Sequence, residues 1–344
     1  MQAAAPGKSG AVALQREKPV NELISFPVCV QTMREYESAS ELTDSCRALG
    51  CDGIEAVWGG DGAADALPAG FVTGFVAGYH MTFYPDWLDF WRGDETALLR
   101  KFGSRGSYTS FYRGSGREAL LSQYRADLAR AVRLGARYVV FHVSDVSIEE
   151  GYTYRWAHSG REVIDASIEL INILFDGKKY PFTLLVENQW WPGFTFTDPG
   201  QTAYLLDSIH YAGKGIVLDT GHLMNTNTDL ETEADGIAYI HKMLDEHGGL
   251  CRHIRGVHLH QSLSGAYVKA NTGSLPAGLP ADYVARFGES YKHILRIDRH
   301  QPWTDPSIAS VIKRIGPEFL IHELSGRNRE EREHAAAIQK KTLI

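Results

Sequence analysis

Eight short apolar runs organise this chain, and each stops at, or within a residue or two of, a carboxylate or an imidazole. The clearest are Leu184–Val186 before Glu187, Ile216–Leu218 before Asp219 with His222, Ile254–Val257 before His258, and Phe319–Ile321 before Glu323. Phe75–Tyr79 before His80 and Tyr138–Phe141 before His142 repeat the pattern. A parallel strand covered on both faces reads as a continuous apolar run, so a polar residue at its C-terminal tip is set at the mouth of a parallel barrel. One chain that does this repeatedly gathers its chemistry-bearing side chains at one end of the molecule.

The stretches between the runs are helical in pattern: Ala39–Leu49, Arg117–Leu134, Arg161–Phe175, Gly200–Tyr211, Glu231–His247 and Asp305–Ile315. The first two strands are expected at Ile24–Val30 and Gly53–Val57. Strand and helix alternate throughout, which predicts an α/β chain folded as a (β/α)8 barrel. With 344 residues and 44% hydrophobic content, one barrel of about 250 residues plus insertions accounts for the chain without a second domain. The expected layout is a flexible extension over residues 1–19, a barrel over 20–326 and a helical tail over 327–344. Insertions are expected after strand three, about 81–116, and after strand seven, about 261–291. The first is aromatic and rich in Gly and Ser, and a connection that long is usually a functional lid or disordered.

A net charge of −7 argues against a broad nucleic-acid footprint, which relies on clustered Lys and Arg. The four cysteines, Cys29, Cys46, Cys51 and Cys251, show no CxxC spacing, so neither a zinc ribbon nor a redox pair is indicated. No apolar stretch approaches the roughly 18 residues of a membrane span, and the first twenty residues lack a signal-peptide core. The expectation is a reduced, cytoplasmic protein.

Glu187, Asp219, His258 and Glu323, at the tips of strands five to eight, form a carboxylate and imidazole set suited to one divalent ion such as Zn²⁺, Mn²⁺, Fe²⁺ or Co²⁺. His80, His142, His222, Asp298 and His300 offer five more ligands. Nine protein ligands exceed what one ion accepts, so full use of them calls for two or three ions with a bridging carboxylate. Seven further histidines, His210, His241, His247, His253, His293, His322 and His334, are expected in ordinary structural roles. Glu55, inside the second strand, is expected to support the barrel rim by pairing with an arginine. Trp190 and Trp191, just past Glu187, are candidate stacking walls for a substrate.

The segments LLVEN around Glu187, VLDTGHLM with Asp219 and His222, IRGVHLHQS with His258 and FLIHEL with Glu323 together resemble the xylose isomerase-like TIM barrels. That group includes sugar isomerases and epimerases, inosose dehydratase and endonuclease IV (AP endonuclease family 2). The resemblance spans roughly Ile24 to Glu323. IDRHQPW, with Asp298 and His300, is similar to the Asp-Arg-His element of endonuclease IV. The likeness implies one ion held by His80, His142 and Glu187, a second by Glu187, Asp219, His258 and Glu323, and a third by His222, Asp298 and His300. It also implies that Glu187 and Glu323 are the catalytic pair, with His222 and His260 contacting substrate. The gap from His258 to Asp298 and the insertion after His80 depart from the endonuclease pattern. The sequence therefore ranks proton-transfer chemistry on a sugar, sugar phosphate or polyol narrowly ahead of phosphoester or glycoside-type hydrolysis. A polyhydroxylated small molecule is the expected partner and nucleic acid and membrane are not; the sequence leaves the oligomeric state open, a homodimer being one option because barrels of this group often pair.

Overall fold

The structure, a computed structural model, describes residues 20–58 and 74–344. The extension expected over 1–19 and part of the link between the second and third strands lie outside the described residues. Eight parallel strands close into a barrel in sequence order: β1 Asn21–Val28, β2 Gly53–Trp58, β3 Val76–His80, β4 Tyr138–His142, β5 Thr183–Glu187, β6 Lys214–Asp219, β7 Ile254–Leu259 and β8 Phe319–His322. Helices follow the strands; Arg117–Leu134, Gly160–Phe175, Pro199–Ser208 and Glu233–His247 fall within a few residues of the ranges read from periodicity, whereas Tyr283–Ile297 is a long helix that the sequence reading did not place. No helix among the described residues is long and apolar enough to cross a membrane.

β1 begins and ends earlier than expected. Asn21 and Glu22 do not read as strand, yet Asn21–Ile24 pairs with Phe319–His322 and closes the barrel. Glu22 serves the lower rim, where its carboxylate meets His322 at 3.2 Å and Lys340 at 2.5 Å. At the other end Cys29 caps a short helix, Val30–Met33, so the apolar Val30 belongs to a turn of helix.

Successive strand side chains alternate faces, so residues i and i+2 share one. Tyr138, Val140, Leu185, Val217, Phe319 and Ile321 pack the barrel interior. His142, Glu187, Asp219 and Glu323 each follow one of these by two residues and form the next layer up the barrel axis. Register holds that layer level, pairing His142 with Glu187 and Asp219 with His258. Gly78 lies beside the Tyr138 ring, where an added Cβ would fall 2.3 Å from ring atoms; only glycine lets Tyr138 lie across the barrel there.

The first insertion is ordered helix. Leu88–Arg92, Glu95–Phe102 and Arg105–Phe111 follow one another, with Asp94 and Ser104 capping the second and third. The second insertion carries Gly265–Asn271 and a longer helix, Tyr283–Ile297. The two insertions meet through Phe102 and Tyr283, stacked at 3.7 Å between centroids. A buried charge network anchors the first of them. Lys101 bridges Asp86 at 2.6 Å and Asp89 at 2.7 Å, and His158 lies 3.1 Å from Asp89. Asp145, just past β4, accepts from the backbone N–H groups of Trp87 and Leu88 at 2.8 and 2.9 Å.

Candidate metal centre

Glu187 is the hub of the barrel mouth. Its Oε2 lies 3.2 Å from His80 Nε2 and 3.1 Å from His142 Nε2, and those two nitrogens are 3.0 Å apart. Its Oε1 faces the other way, 3.0 Å from His222 Nδ1 and 3.6 Å from His258 Nδ1. Asp219 Oδ2 lies 3.7 Å from that same His258 nitrogen, and Glu323 Oε2 lies 2.8 Å from it. On the outer side His222 Nε2 meets Asp298 Oδ2 at 3.2 Å, and His300 Nε2 meets the same oxygen at 2.6 Å.

All nine residues singled out in the sequence as ligands are therefore in one continuous cluster. With His260 added, their donor atoms converge in four overlapping groups, each within 4.8 Å: His80, His142 and Glu187; Glu187, Asp219 and His258; Asp219, His260 and Glu323; and His222, His260, Asp298 and His300. His258 Nδ1 and Glu323 Oε2 are both buried, and despite their 2.8 Å separation neither makes a hydrogen bond of acceptable geometry. Two donor atoms aimed at a common point rather than at each other fit shared coordination of a cation. Imidazole nitrogens with carboxylate oxygens are also the donor chemistry that Zn²⁺ and its neighbours prefer. On both counts the residues fit divalent metal.

The local sequence explains the placement. Asp219 ends β6 and caps the short helix that follows, accepting from the His222 N–H at 2.6 Å, so the DTGH turn presents both side chains within one turn. A Cβ at Gly221 would fall 2.0 Å from the His260 ring; the glycine makes room for that imidazole. Asn188 ties β5 to β6, donating to the Asp219 carbonyl at 3.0 Å and accepting from the Asp219 N–H at 2.8 Å. Gln189 donates to Glu187 at 3.3 Å, and its side-chain amide lies 3.0 Å from His222 Nδ1. Asp298 is the residue at which Tyr283–Ile297 stops, its N–H donating to the Ile294 carbonyl. His300 follows with φ of +45°, a left-handed backbone that costs a non-glycine residue stability and persists when its surroundings hold it. They do: Gln261 and Gln301 exchange backbone hydrogen bonds, the Ser325 N–H donates to the His300 carbonyl, and the Arg299 N–H donates to Ser262 Oγ.

Electrostatics match the geometry. Burial alone would push His258 down, but the carboxylates of Glu55, Glu323 and Glu187 override it and hold the ring well above its ordinary value. His222 is likewise raised against burial by Asp219 and Asp298, and His300 is raised by Asp298 to about 9. Burial would raise Glu187 and Asp298, yet the neighbouring imidazoles hold both well below the carboxylate range. Among the nine candidate ligands His142 is the one imidazole that comes out lowered, burial outweighing Glu187, with His80 and His222 beside it. The carboxylates thus demand positive charge, which protons or bound cations supply.

Two placements differ from expectation. Glu55 meets no arginine. It is fully buried, accepts from Tyr138 Oη at 2.8 Å and faces His258 Nε2 at 3.1 Å, so it orients a candidate ligand from behind, as carboxylates do for metal-binding imidazoles. Its signal was present in the sequence: a charged residue at inward parity in a buried strand needs a buried partner. His260, expected to touch substrate, is fully buried behind Asp219, 2.9 Å from Oδ2, and stacks on His300 at 4.1 Å.

Above the cluster opens a cavity of about 440 Å³. His80, His142, His222, Asp298, His300 and Glu323 border it, as do Trp190 and Trp191, whereas Glu187, Asp219, His258 and His260 lie beneath its surface. Trp190 sits 5.1 Å from the His222 ring, centroid to centroid, and Phe83 sits 4.5 Å from His142.

Residues 44–342 match the family model described as xylose isomerase-like TIM barrel. Among solved structures the chain is similar to the IOLI protein with a bound zinc atom, at 15% identity and TM-score 0.50, covering 93% of this chain and 96% of that one. It is also similar to a D-tagatose 3-epimerase-like protein (14% identity, 94% and 97% covered, TM-score 0.48) and to endonuclease IV from Thermus thermophilus (16%, 94% and 98%, TM-score 0.46). At these identities the likeness speaks to fold alone. No curated protein matches by sequence.

Proposed function

Because the chain belongs to the xylose isomerase-like TIM-barrel family, whose barrel mouth is its working end, we propose that it is a divalent-metal-dependent hydrolase of a small phosphoester, using a two- or three-ion centre. One observation carries this. Glu187 has both carboxylate oxygens engaged by separate ligand groups and does not border the cavity. That position suits a carboxylate shared between ions and does not suit a base that must reach a substrate carbon. It reverses the narrow ranking drawn from sequence.

His80, His142 and Glu187 would hold one ion, Glu187, Asp219, His258 and Glu323 a second, and His222, Asp298 and His300 a third. Zinc is the ion these donors suit best, with manganese next. Bound ions supply Lewis acidity toward a phosphoryl oxygen and acidify water. The chain's own part is to fix donors and move a proton. Glu55 holds His258, Gln189 holds Glu187 and His222, and the Gln261–Gln301 pairing holds the strained turn carrying His300. Glu323, whose carboxylate borders the cavity, takes a proton from the attacking water and returns it to the leaving alcohol. Water oxygen joins phosphorus as the ester P–O bond breaks, giving alcohol and phosphate. A cavity of this size takes a small molecule, and the net charge of −7 disfavours duplex nucleic acid.

Proton transfer on a sugar or polyol is the second reading, supported by the same cavity-facing position of Glu323. Elemental analysis of untagged protein purified without chelator, alongside Asp298→Ala, separates the two. The hydrolase reading expects two or three ions per chain, cleavage of an aryl phosphate, and in Asp298→Ala the loss of one ion with a fall in turnover of about 10²-fold, the scale of removing one electrostatic stabiliser. A single ion, with sugar-epimerising activity indifferent to Asp298→Ala, would overturn it.

A further inference from the structure

Beside the ligand cluster, the cavity wall changes character. Tyr291, Ile294 and Leu295 of the helix Tyr283–Ile297 border it together with Val146, Trp190 and Trp191, and Ile294 packs against the cluster those three help form. Tyr291 is 54% exposed, Leu295 46% and Phe83, nearer the ligands, 45%, so three large apolar side chains that are open to solvent all face one cavity. A concentration of exposed apolar surface at a concave site marks a place where something apolar binds. The charge pattern is equally one-sided. Among the described residues no lysine or arginine borders the cavity, and the segment 59–73, outside the described residues, contains neither in its sequence. Lys101 and Arg286 border a neighbouring crevice, and the Lys101 amine is already held by Asp86 and Asp89.

We propose, on the hydrolase reading above, that the substrate carries a single phosphoryl group esterified to an apolar alcohol, aryl or branched alkyl, whose hydrocarbon part packs on the wall formed by Tyr291, Ile294, Leu295, Val146 and the Trp190–Trp191 pair. Any positive charge for a phosphoryl group would have to come from ions at the ligand end, so a second phosphate or carboxylate reaching the wall would be desolvated without a partner. Nucleotides with several phosphates and bisphosphates are disfavoured on the same ground. Hydrocarbon meeting hydrocarbon gains the area removed from water.

The test is calorimetric binding of inert phosphonates to the zinc-loaded protein: methylphosphonate, 2-hydroxyethylphosphonate and phenylphosphonate, with inorganic phosphate as reference. Phenylphosphonate is expected to bind at least about tenfold more tightly than the methyl and hydroxyethyl compounds, the worth of burying part of a ring. That advantage should disappear in Leu295→Asp and shrink in Tyr291→Ser. Both positions are half-exposed, so neither substitution endangers the fold, and the readout is the ratio of phenylphosphonate to methylphosphonate affinity, in which any added charge repulsion common to both ligands cancels. Equal affinity for all three phosphonates, or a preference for the hydroxyethyl compound, would overturn the apolar-alcohol assignment while leaving the phosphoester reading in place. Failure of every phosphonate and of phosphate to bind would overturn both.

Discussion

The floor and the wall of the cavity are made by opposite means. The floor is a layer of polar side chains on strand tips, set by register and the two-residue period of the barrel, with buried carboxylates and amides behind it. The wall is shared between the loops after β4 and β5, which carry Val146 and Trp190–Trp191, and the insertion helix Tyr283–Ile297. That helix is stacked through Tyr283 on Phe102 of the first insertion, itself held by the Lys101–Asp86–Asp89 network. The contrast teaches where chemistry and selectivity separate. The floor cannot shift without breaking the barrel, whereas the wall can be exchanged with the barrel intact. The two are joined at one point, because the wall helix Tyr283–Ile297 ends on Asp298, so the wall also positions part of the floor.

The strongest blow to the floor is Glu187→Gln. The amide keeps the shape but loses the charge facing four imidazoles, so ion content should fall by at least one per chain and turnover by about 10³-fold or more, the upper end for removing one electrostatic group. The barrel should survive with an unchanged far-ultraviolet circular dichroism spectrum, since mouth residues contribute little to the core. Full ion content and full turnover would mean that the floor is not organised around Glu187.

Glu55→Gln reaches the floor from below and should act more weakly. The amide can still accept from Tyr138, but it no longer stabilises charge on His258. Zinc affinity, read by competition with a chelating dye, is expected to drop about 10- to 100-fold, as for other carboxylates behind ligating imidazoles. Phenylphosphonate at saturating zinc should keep its preference over methylphosphonate, because the wall is untouched. Unaltered zinc affinity would reduce Glu55 to a packing role.

The floor was legible in the sequence and the wall was not, for the same physical reason. A buried parallel strand compresses into a short apolar run, so a charged residue at its end is conspicuous, and Glu187, Asp219, His258 and Glu323 stand out against Leu184–Val186 and its counterparts. Glu55 was seen but misread, because its partner His258 is 203 residues away and pairing across the barrel leaves no local mark. His260 was placed toward substrate on the family likeness; the tertiary contact with Asp219, made through the space Gly221 leaves, decides otherwise. The insertions show only composition. Their apolar residues follow ordinary helical spacing, and nothing in YVARFGESYKHILRI says which face looks into a cavity, because that depends on how Phe102 meets Tyr283 and where the helix must end to deliver Asp298.

The smallest expected effect tests the wall's anchor. Burial, with the Asp86 charge beside it, pushes Asp145 up to about 7, against which the Trp87 and Leu88 N–H groups and Lys101 pull only partly. A carboxyl raised this way holds its proton in the folded protein between about pH 4, its unfolded value, and pH 7. There the native state binds more protons than the unfolded one, so this group's contribution to stability falls as pH rises through that window and is lowest above it. Asp145→Asn retains an oxygen for the two backbone donors and removes the titration. Melting temperature should differ little between wild type and variant near pH 5, while near pH 8 the variant should gain about 2 °C. Wild type and variant share every ligand histidine, so the difference between their pH profiles cancels the floor's own titrations and reports the wall. Parallel profiles would mean that Asp145 is ionised across the range and that the first insertion is tied down by Lys101 alone.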